Sequence, residues 1–273
     1  MTFEYREVLL QATGVNLAFG ANQVLRDLNL TVRNLHRPGL NQGQCLSLIG
    51  RSGAGKSCLL RILAGLSRPD SGTIRILVDG QEVPVKPGLV GVVAQNYPLF
   101  PNRTVLGNLL IAGTTADLKT TAAKEKALGF LQYFGLSDKV GAYPAELSGG
   151  QRQRVAIAQQ LMGGRRFIVL DEPSSGLDPL SKEATCKLIT DLATKDELLT
   201  ILVITHDIEA AVQISDTILV LGRDSVDGQF VPGSRIQTTI SLAEAGLAWR
   251  TGISETAEFR AMVGKLRTAF EHL

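Results

Sequence analysis

One octapeptide constrains this 273-residue chain more than any other feature. Gly50-Arg51-Ser52-Gly53-Ala54-Gly55-Lys56-Ser57 fits the pattern G-x-x-x-x-G-K-[ST]. Glycines in such a loop adopt backbone angles closed to other residues, so successive N–H groups can converge on an anion. The run before it, Cys-Leu-Ser-Leu-Ile at 45–49, reads as a buried strand. The Leu-, Ile- and Ala-rich stretch 56–66 after it reads as a helix, closed by the turn cluster 68–72. Strand, loop and helix in that order aim the positive end of a helix dipole at the loop, which makes a phosphate cradle. Lys56 is then placed to reach the β- and γ-phosphates of a nucleoside triphosphate, and the Ser57 hydroxyl to ligate Mg²⁺.

The rest of the chain reads as an α/β fold around that unit. Leu28, Leu30 and Val32 alternate with Asp27, Asn29 and Thr31, the pattern of a half-buried strand. The polar stretch 34–43, with Pro38 and two glycines, reads as a surface loop. Apolar runs at 167–170 and 200–205 read as buried parallel strands separated by a helix over 180–194. The region 104–164 differs: Ala, Leu, Lys and Glu dominate 116–134, so a helical block is inserted into the α/β core. After Gly222, the residues 224–228 form a turn joining two edge strands. Phe259, Met262, Val263, Leu266 and Phe270 then share one face of a C-terminal helix capped by Ser254 or Thr256. That apolar face either packs on the core or serves dimerisation or regulation. Trp249 and Cys58 read as core residues.

Two further elements accompany the cradle. The strand 167–170 runs into Asp171-Glu172 and is expected beside the strand feeding the loop, delivering Asp171 to Mg²⁺ and Glu172, as general base, to the attacking water. The strand 200–205 ends in Thr205-His206-Asp207, which brings an imidazole to the same edge. The second element, Ser148-Gly149-Gly150-Gln151, precedes a helical start and forms a second anion site at a helix N-terminus. One γ-phosphate has no need of two such sites in one subunit, so the second is expected to serve a nucleotide held by another copy.

With these residues in place, the sequence resembles the nucleotide-binding subunits of ATP-binding cassette (ABC) transporters over about residues 8–222. The family's signature motif matches Ser148-Gly149-Gly150-Gln151, its Q-loop Gln95, its D-loop Ser175-Gly176-Leu177-Asp178 and its H-switch His206; Phe19 stands where the family has an adenine-stacking aromatic. The resemblance implies a P-loop NTPase fold of the ABC type: a RecA-like parallel core with an antiparallel β part and an inserted helical subdomain at about 97–165. The ATPase domain would cover 1–222, followed by C-terminal edge strands and a helix over 223–273. It further implies ATP and Mg²⁺ as ligands. Catalysis would fall to Glu172, His206 and Lys56, and nucleotide binding to Phe19, residues 50–57, Cys58, Gln95, Ser148, Gly149, Gly150, Gln151, Asp178 and His206. Ser57, Gln95 and Asp171 would hold the metal. Implied partners are a second ATP-binding subunit (a homodimer closing head to tail over two ATP), integral permease subunits contacted through a groove that includes 97–103, and a periplasmic or extracellular solute-binding protein. The implied location is the cytoplasmic face of the inner membrane. Two departures stand out. The segment 32–43 is longer than the family's short turn, so His36, Arg37 and Pro38 are expected to make a surface excursion, and Gln159 stands where arginine is common.

Composition removes other classes. Lys plus Arg number 28 against 26 Asp plus Glu, a net charge of +2, without the basic footprint of a nucleic-acid binder. Cys45, Cys58 and Cys186 form no C-x-x-C pair, and the longest apolar runs are four residues, against the ~20 that span a bilayer. The first residues lack the basic start and apolar stretch of a secretory signal, so a reduced, cytoplasmic setting is expected. The segments 95–105 and 205–211 look most like importer ATPases of the nitrate, sulfonate and taurine branch. Subunits of lipid or lipoprotein exporters and non-transport cassette ATPases are the alternatives.

Overall fold

The structure, a computed structural model, describes residues 2–39, 42–114, 119–194, 196–250 and 252–271. Two long antiparallel strands, β1 (Glu4–Phe19) and β2 (Asn22–His36), open the chain, followed by β3 (Gln44–Gly50) and α1 (Lys56–Leu63). A hairpin of β4 (Ser71–Val78) and β5 (Gln81–Pro84) and the short β6 (Gly91–Val93) lead into α2 (Val105–Thr114), α3 (Thr120–Tyr133) and α4 (Gly149–Met162). The chain returns through β7 (Phe167–Asp171), α5 (Pro179–Ala193), β8 (Thr200–Thr205), α6 (Ile208–Ile214), β9 (Thr217–Val226) and β10 (Gln229–Ser241), and α7 (Ala257–Glu271) ends it.

All ten strands join one sheet in the order β5-β4-β1-β2-β10-β9-β3-β8-β7-β6. The last five run parallel, as the fully buried, non-alternating β3 and β8 require of strands covered on both faces. The other half is largely antiparallel, and its alternation is that of a half-covered surface: Leu28, Leu30 and Val32 are buried while their neighbours are exposed. Helices α2, α3 and α4 form the expected insertion between β6 and β7, with Leu109, Leu131 and Ile157 in one core that continues to Ile168 and Leu170 of β7. Helix α1 buries Leu59, Ile62 and Leu63 between the antiparallel strands and the other sheet face. Among the described residues, no helix is long and apolar enough to cross a membrane.

Four expectations need correction. Strand β7 does not lie beside β3; β8 separates them, pairing Ile49 of β3 with Thr205 and Asp171 of β7 with Ile204. Chain order does not dictate lateral order: β8 follows β7 in the chain yet lies between β7 and β3. The 224–228 turn does not join edge strands: β9 pairs with β3 over 217–221 and continues to Val226 against β10, and β10 fills the space between β9 and β2. The edges are β5 and β6.

The third correction concerns 34–43. Strand β2 continues to His36, because a register shift against β1 between Arg33 and Leu35 switches the alternation and returns Leu35 to the buried face, and Arg37 is buried with its guanidinium carbon 3.8 Å from the centroid of the Trp249 ring. Only part of the stretch is therefore surface, with Pro38 and Gly39 exposed; residues 40 and 41 lie outside the described residues, as do 116–118 of the helical block. Trp249 and Cys58 are half-buried rather than core. Thr256 accepts the Phe259 N–H at 3.2 Å as the expected cap, and Phe259, Val263 and Leu266 pack against Val220, Leu242 and Ile49.

Candidate functional site

The C-terminal ends of the parallel strands deliver the candidate residues to one edge. Gly50 ends β3 beside Leu221; a Cβ at Gly50 would sit 2.7 Å from the Leu221 carbonyl oxygen, so no larger residue fits without a shift. Gly55, with φ of 90°, has the same constraint, since a Cβ there would approach Val24 Cγ1 to 2.8 Å. The loop between them is closed by Ala54 N–H donating to Arg51 O at 3.1 Å. Lys56 opens α1 and folds back over the loop, donating from Nζ to Gly50 O at 2.7 Å and Arg51 O at 3.3 Å. Burial lowers its ammonium pKa, against the pull of Glu172 and Asp171.

Those two carboxylates differ. Asp171 completes β7, half-buried, and desolvation together with its negative neighbour Glu172 raises its pKa while Lys56 draws it down. Glu172 leaves the strand with φ of 49°, an uncommon left-handed conformation for a non-glycine residue. Its N–H donates to Ile204 O of β8 at 2.8 Å, which turns the side chain across the strand end toward His206. His206 Nδ1 lies 2.9 Å from both Glu172 oxygens, and the Thr205 hydroxyl donates to Oε2 at 3.3 Å. The imidazole is 62% exposed and the carboxylate 15%, so the pair opens toward solvent on one side.

The remaining predicted residues lie on other elements. Phe19, 63% exposed, sits at the tip of the β1–β2 hairpin where it pairs with Asn22. Gln95 is exposed just beyond β6. Two residues later Tyr97, at φ of 46°, donates its hydroxyl to Pro173 O at 3.0 Å, and buried Gln153 donates to the same oxygen at 3.0 Å. Sequence reasoning did not single out these two, which tie the post-Gln95 segment and α4 to the loop after Glu172; an aromatic two positions past Gln95 was the only available signal. Fully buried Asn108 likewise holds the 97–103 stretch, accepting from Phe100 N–H and donating to the Phe100, Arg103 and Thr104 carbonyls.

Ser148 caps α4 reciprocally with Gln151: the Gln151 N–H donates to Ser148 Oγ at 3.3 Å, and Ser148 N–H to Gln151 Oε1 at 2.9 Å. Ser148 and Gly149 are exposed, and among the described residues no hydrogen bond joins this cap to the 50–57 loop of the same chain. Asp178 caps α5, accepting from Leu180 N–H, Ser181 N–H and the Ser181 hydroxyl; the hydroxyl bond leads the causes that hold its carboxyl below the usual range. Gln159 donates to Asn108 O at 3.1 Å and so belongs to the packing of the insertion.

Comparison with known proteins agrees with this architecture. The model of the ABC transporter family matches residues 36–175, just over half of the chain. A methionine import ATP-binding protein of Rhizobium etli is 38% identical over 82% of this chain, which spans only 62% of that protein's length. The ATP-binding protein of a lipoprotein-releasing system from Bacteroides thetaiotaomicron is 36% identical over 76% of this chain and 94% of its own. Among solved structures, cbiO1 of Clostridium perfringens, described as part of the ABC transporter complex cbiONQ, superposes with a TM-score of 0.71 at 23% identity, covering 89% of this chain and 92% of that one, which establishes a shared fold. Cradle, paired acids and histidine thus meet at one sheet edge, and the Ser148 cap stands on the inserted helix α4, in a chain that belongs to the ABC transporter family, among its ATP-binding subunits.

Proposed function

We propose that the chain hydrolyses ATP to drive a separate membrane permease, and that the transport is import of a small solute. One observation carries the hydrolytic reading: Glu172 and His206, 2.9 Å apart, stand at the strand edge that also presents Lys56. In this reading the triphosphate lies on the N–H groups of 50–57, its base against Phe19, and Lys56 exchanges the Gly50 carbonyl for phosphate oxygens. Glu172 takes a proton from the water that attacks the γ-phosphorus as the bond to the bridging β,γ-oxygen breaks. His206 fixes the Glu172 carboxylate through Nδ1 and turns its other ring nitrogen toward the γ-phosphate.

The donor set fits Mg²⁺. Ser57, Asp171 and the Gln95 amide all offer oxygen, which a hard cation prefers, and one carboxylate plus substrate phosphates is its usual company. A cation there would also relieve the crowding of Asp171 and Glu172 that raises the Asp171 pKa. Bound Mg²⁺ would neutralise charge on the phosphoryl oxygens. The cap at Ser148, Gly149, Gly150 and Gln151, exposed at its first two residues and unattached to its own loop among the described residues, is the surface we assign to the nucleotide of a second copy, with Asp178 beside the seam.

Import rests on the likeness of 95–105 and 205–211 to importer ATPases, including the nitrate, sulfonate and taurine branch, and on the methionine import relative. Membrane spans, cytoplasmic placement and a solute-binding protein then belong to the partners. The lipoprotein-releasing relative, covered over 94% of its length, supports export as the second reading. Reconstitution with the cognate permease separates them: stimulation of ATP turnover by a loaded solute-binding protein supports import, and release of a lipoprotein supports export. The hydrolytic reading is tested by Glu172→Gln, which should bind ATP, stop turnover and elute as a dimer with Mg–ATP. Normal turnover in that variant would overturn it.

A further inference from the structure

Three residues outside the predicted site form a continuous polar link from the Asp178 cap to Glu172. Thr205 ends β8 only 1% exposed and uses its hydroxyl twice, donating to Glu172 Oε2 at 3.3 Å and accepting the Asp207 N–H at 3.0 Å. Asp207 caps α6, with Oδ1 accepting the Ala210 N–H at 3.1 Å, and its Oδ2 takes the Lys182 ammonium at 3.0 Å. Lys182 lies in the first turn of α5, where its own N–H donates to Asp178 O at 2.9 Å.

Resting on the hydrolytic reading above, we infer that Thr205 and Lys182 are positioning residues: Thr205 sets the Glu172 carboxylate against His206, and the Lys182–Asp207 pair fastens that arrangement to the Asp178 end of α5. Besides Thr205, only the His206 imidazole holds the Glu172 carboxylate among the described residues; the main chain of Glu172 donates to Ile204 O and accepts the Ser175 N–H at 3.1 Å. A carboxylate with two nearly equivalent oxygens, each 2.9 Å from His206 Nδ1, could rotate between them; a hydroxyl donor on Oε2 alone removes that freedom. The bond is longer than an ordinary O–H···O contact, as catalytic hydrogen bonds commonly are before substrate arrives.

The two ends of the link differ in strength. Thr205 is sealed from water, whereas the Lys182 side chain is 41% exposed on the wall of a cleft of about 460 Å³ that Glu209 and Ser254 also line. Water and salt weaken such a pair. It is therefore the adjustable joint: the exposed first turn of α5, with Leu180 78% exposed, is the part a neighbouring subunit would press, and motion there passes through Lys182 to Asp207, Thr205 and Glu172.

Steady-state turnover of Mg–ATP by the full chain tests this. Thr205→Val should lower kcat by about 10- to 100-fold, the usual cost of a misplaced catalytic group, with KM within about twofold. Thr205→Ser, which restores the hydroxyl, should return kcat to within about twofold of wild type. Wild-type kcat should fall as salt rises, and Lys182→Met should lower kcat by about threefold and remove that salt dependence; combined with Thr205→Val it should add nothing further, since both act through one carboxylate. Wild-type kcat in Thr205→Val, an equally poor Ser variant, or a change confined to KM would overturn the proposal while leaving the hydrolytic reading intact. An active Glu172→Gln control would instead remove the reading on which it rests.

Discussion

The nucleotide edge and the corner under the C-terminal helix handle charge in opposite ways. At the edge, His206 faces solvent in front of a partly buried Glu172, Lys56 rests on main-chain carbonyls, and Asp171 crowds a second acid. At the corner, Arg37 is 2% and Asp216 3% exposed. Asp216 Oδ2 accepts the Cys45 N–H at 2.7 Å, its carbonyl accepts the Leu242 and Ala243 N–H groups, and Trp249 bonds its carboxyl while lying under Arg37. Buried charge with internal partners holds the start of β3, the start of β9 and the C-terminal extension together. At the edge the charges are part-exposed and lean on main-chain carbonyls and on one another. The contrast separates residues whose loss unfolds the protein from residues whose loss silences it.

The sharpest way to break that contrast is to cut the corner. Asp216→Ala strips the acceptor from Cys45 and Trp249 and leaves the Arg37 guanidinium without a counter-charge, and removal of one partner from a buried pair costs about 3–5 kcal/mol. Denaturant unfolding should show that loss, and the ATP affinity of the fraction that remains folded should be unchanged. A fall in affinity at full stability would mean the corner belongs to the site.

The complementary cut is Lys56→Ala. It removes a half-buried ammonium that touches only loop carbonyls, so unfolding free energy should move by less than about 1 kcal/mol. Nucleotide affinity, measured by calorimetry with Mg–ATP, should fall about 100-fold, as expected when one charge of a desolvated pair is deleted. Equal losses of stability and affinity would erase the distinction between the two regions.

Much of the edge was legible in the sequence because its parts are local. A glycine that no side chain can replace, a strand that must end where its apolar run ends, and a serine followed three residues later by a glutamine each carry their structure within a few positions. The corner was not legible. Arg37 sits in a polar stretch whose composition says surface, and nothing nearby announces that Asp216 and Trp249, far along the chain, will enclose it. The same limit hid the place of β8 between β3 and β7: pairing partners are chosen across the sheet, whereas hydrophobic periodicity reports only which face is covered. Tyr97 and Gln153 escaped notice for a related reason, since they meet at the Pro173 carbonyl only after the helical insertion folds back.

Titration offers a subtler probe of the corner. Burial pushes the Asp216 carboxyl up to about 7, against the Cys45 N–H, Arg37 and Trp249, all of which favour the ionised form. An unfolded aspartic acid titrates near 4, so between about pH 4 and 7 the folded state holds a proton that the unfolded chain has released. Stability from this group is therefore present at low pH and declines as pH rises toward 7, then levels off. Across that window the wild type should lose roughly 3–4 kcal/mol more than Asp216→Asn, in which the group cannot ionise. Parallel stability–pH curves for the two proteins would show that Asp216 stays charged throughout.

The smallest effect isolates the aromatic part of the corner. Trp249→Leu keeps an apolar side chain under Arg37 but removes both the ring face at 3.8 Å and the indole hydrogen bond to Asp216. A desolvated cation–π contact contributes up to about 2 kcal/mol and a hydrogen bond to a charged group about as much, partly offset by leucine packing. A net loss of about 1–2 kcal/mol should follow, with turnover unchanged. Because Arg37 has Nε and Nη2 buried without hydrogen-bond partners among the described residues, the ring is its main compensation, and Arg37→Met in the Trp249→Leu background should recover part of the loss. Failure of that second substitution to help would place the stabilisation in the Asp216–Arg37 attraction, leaving the tryptophan as a cover over a charge pair that holds without it.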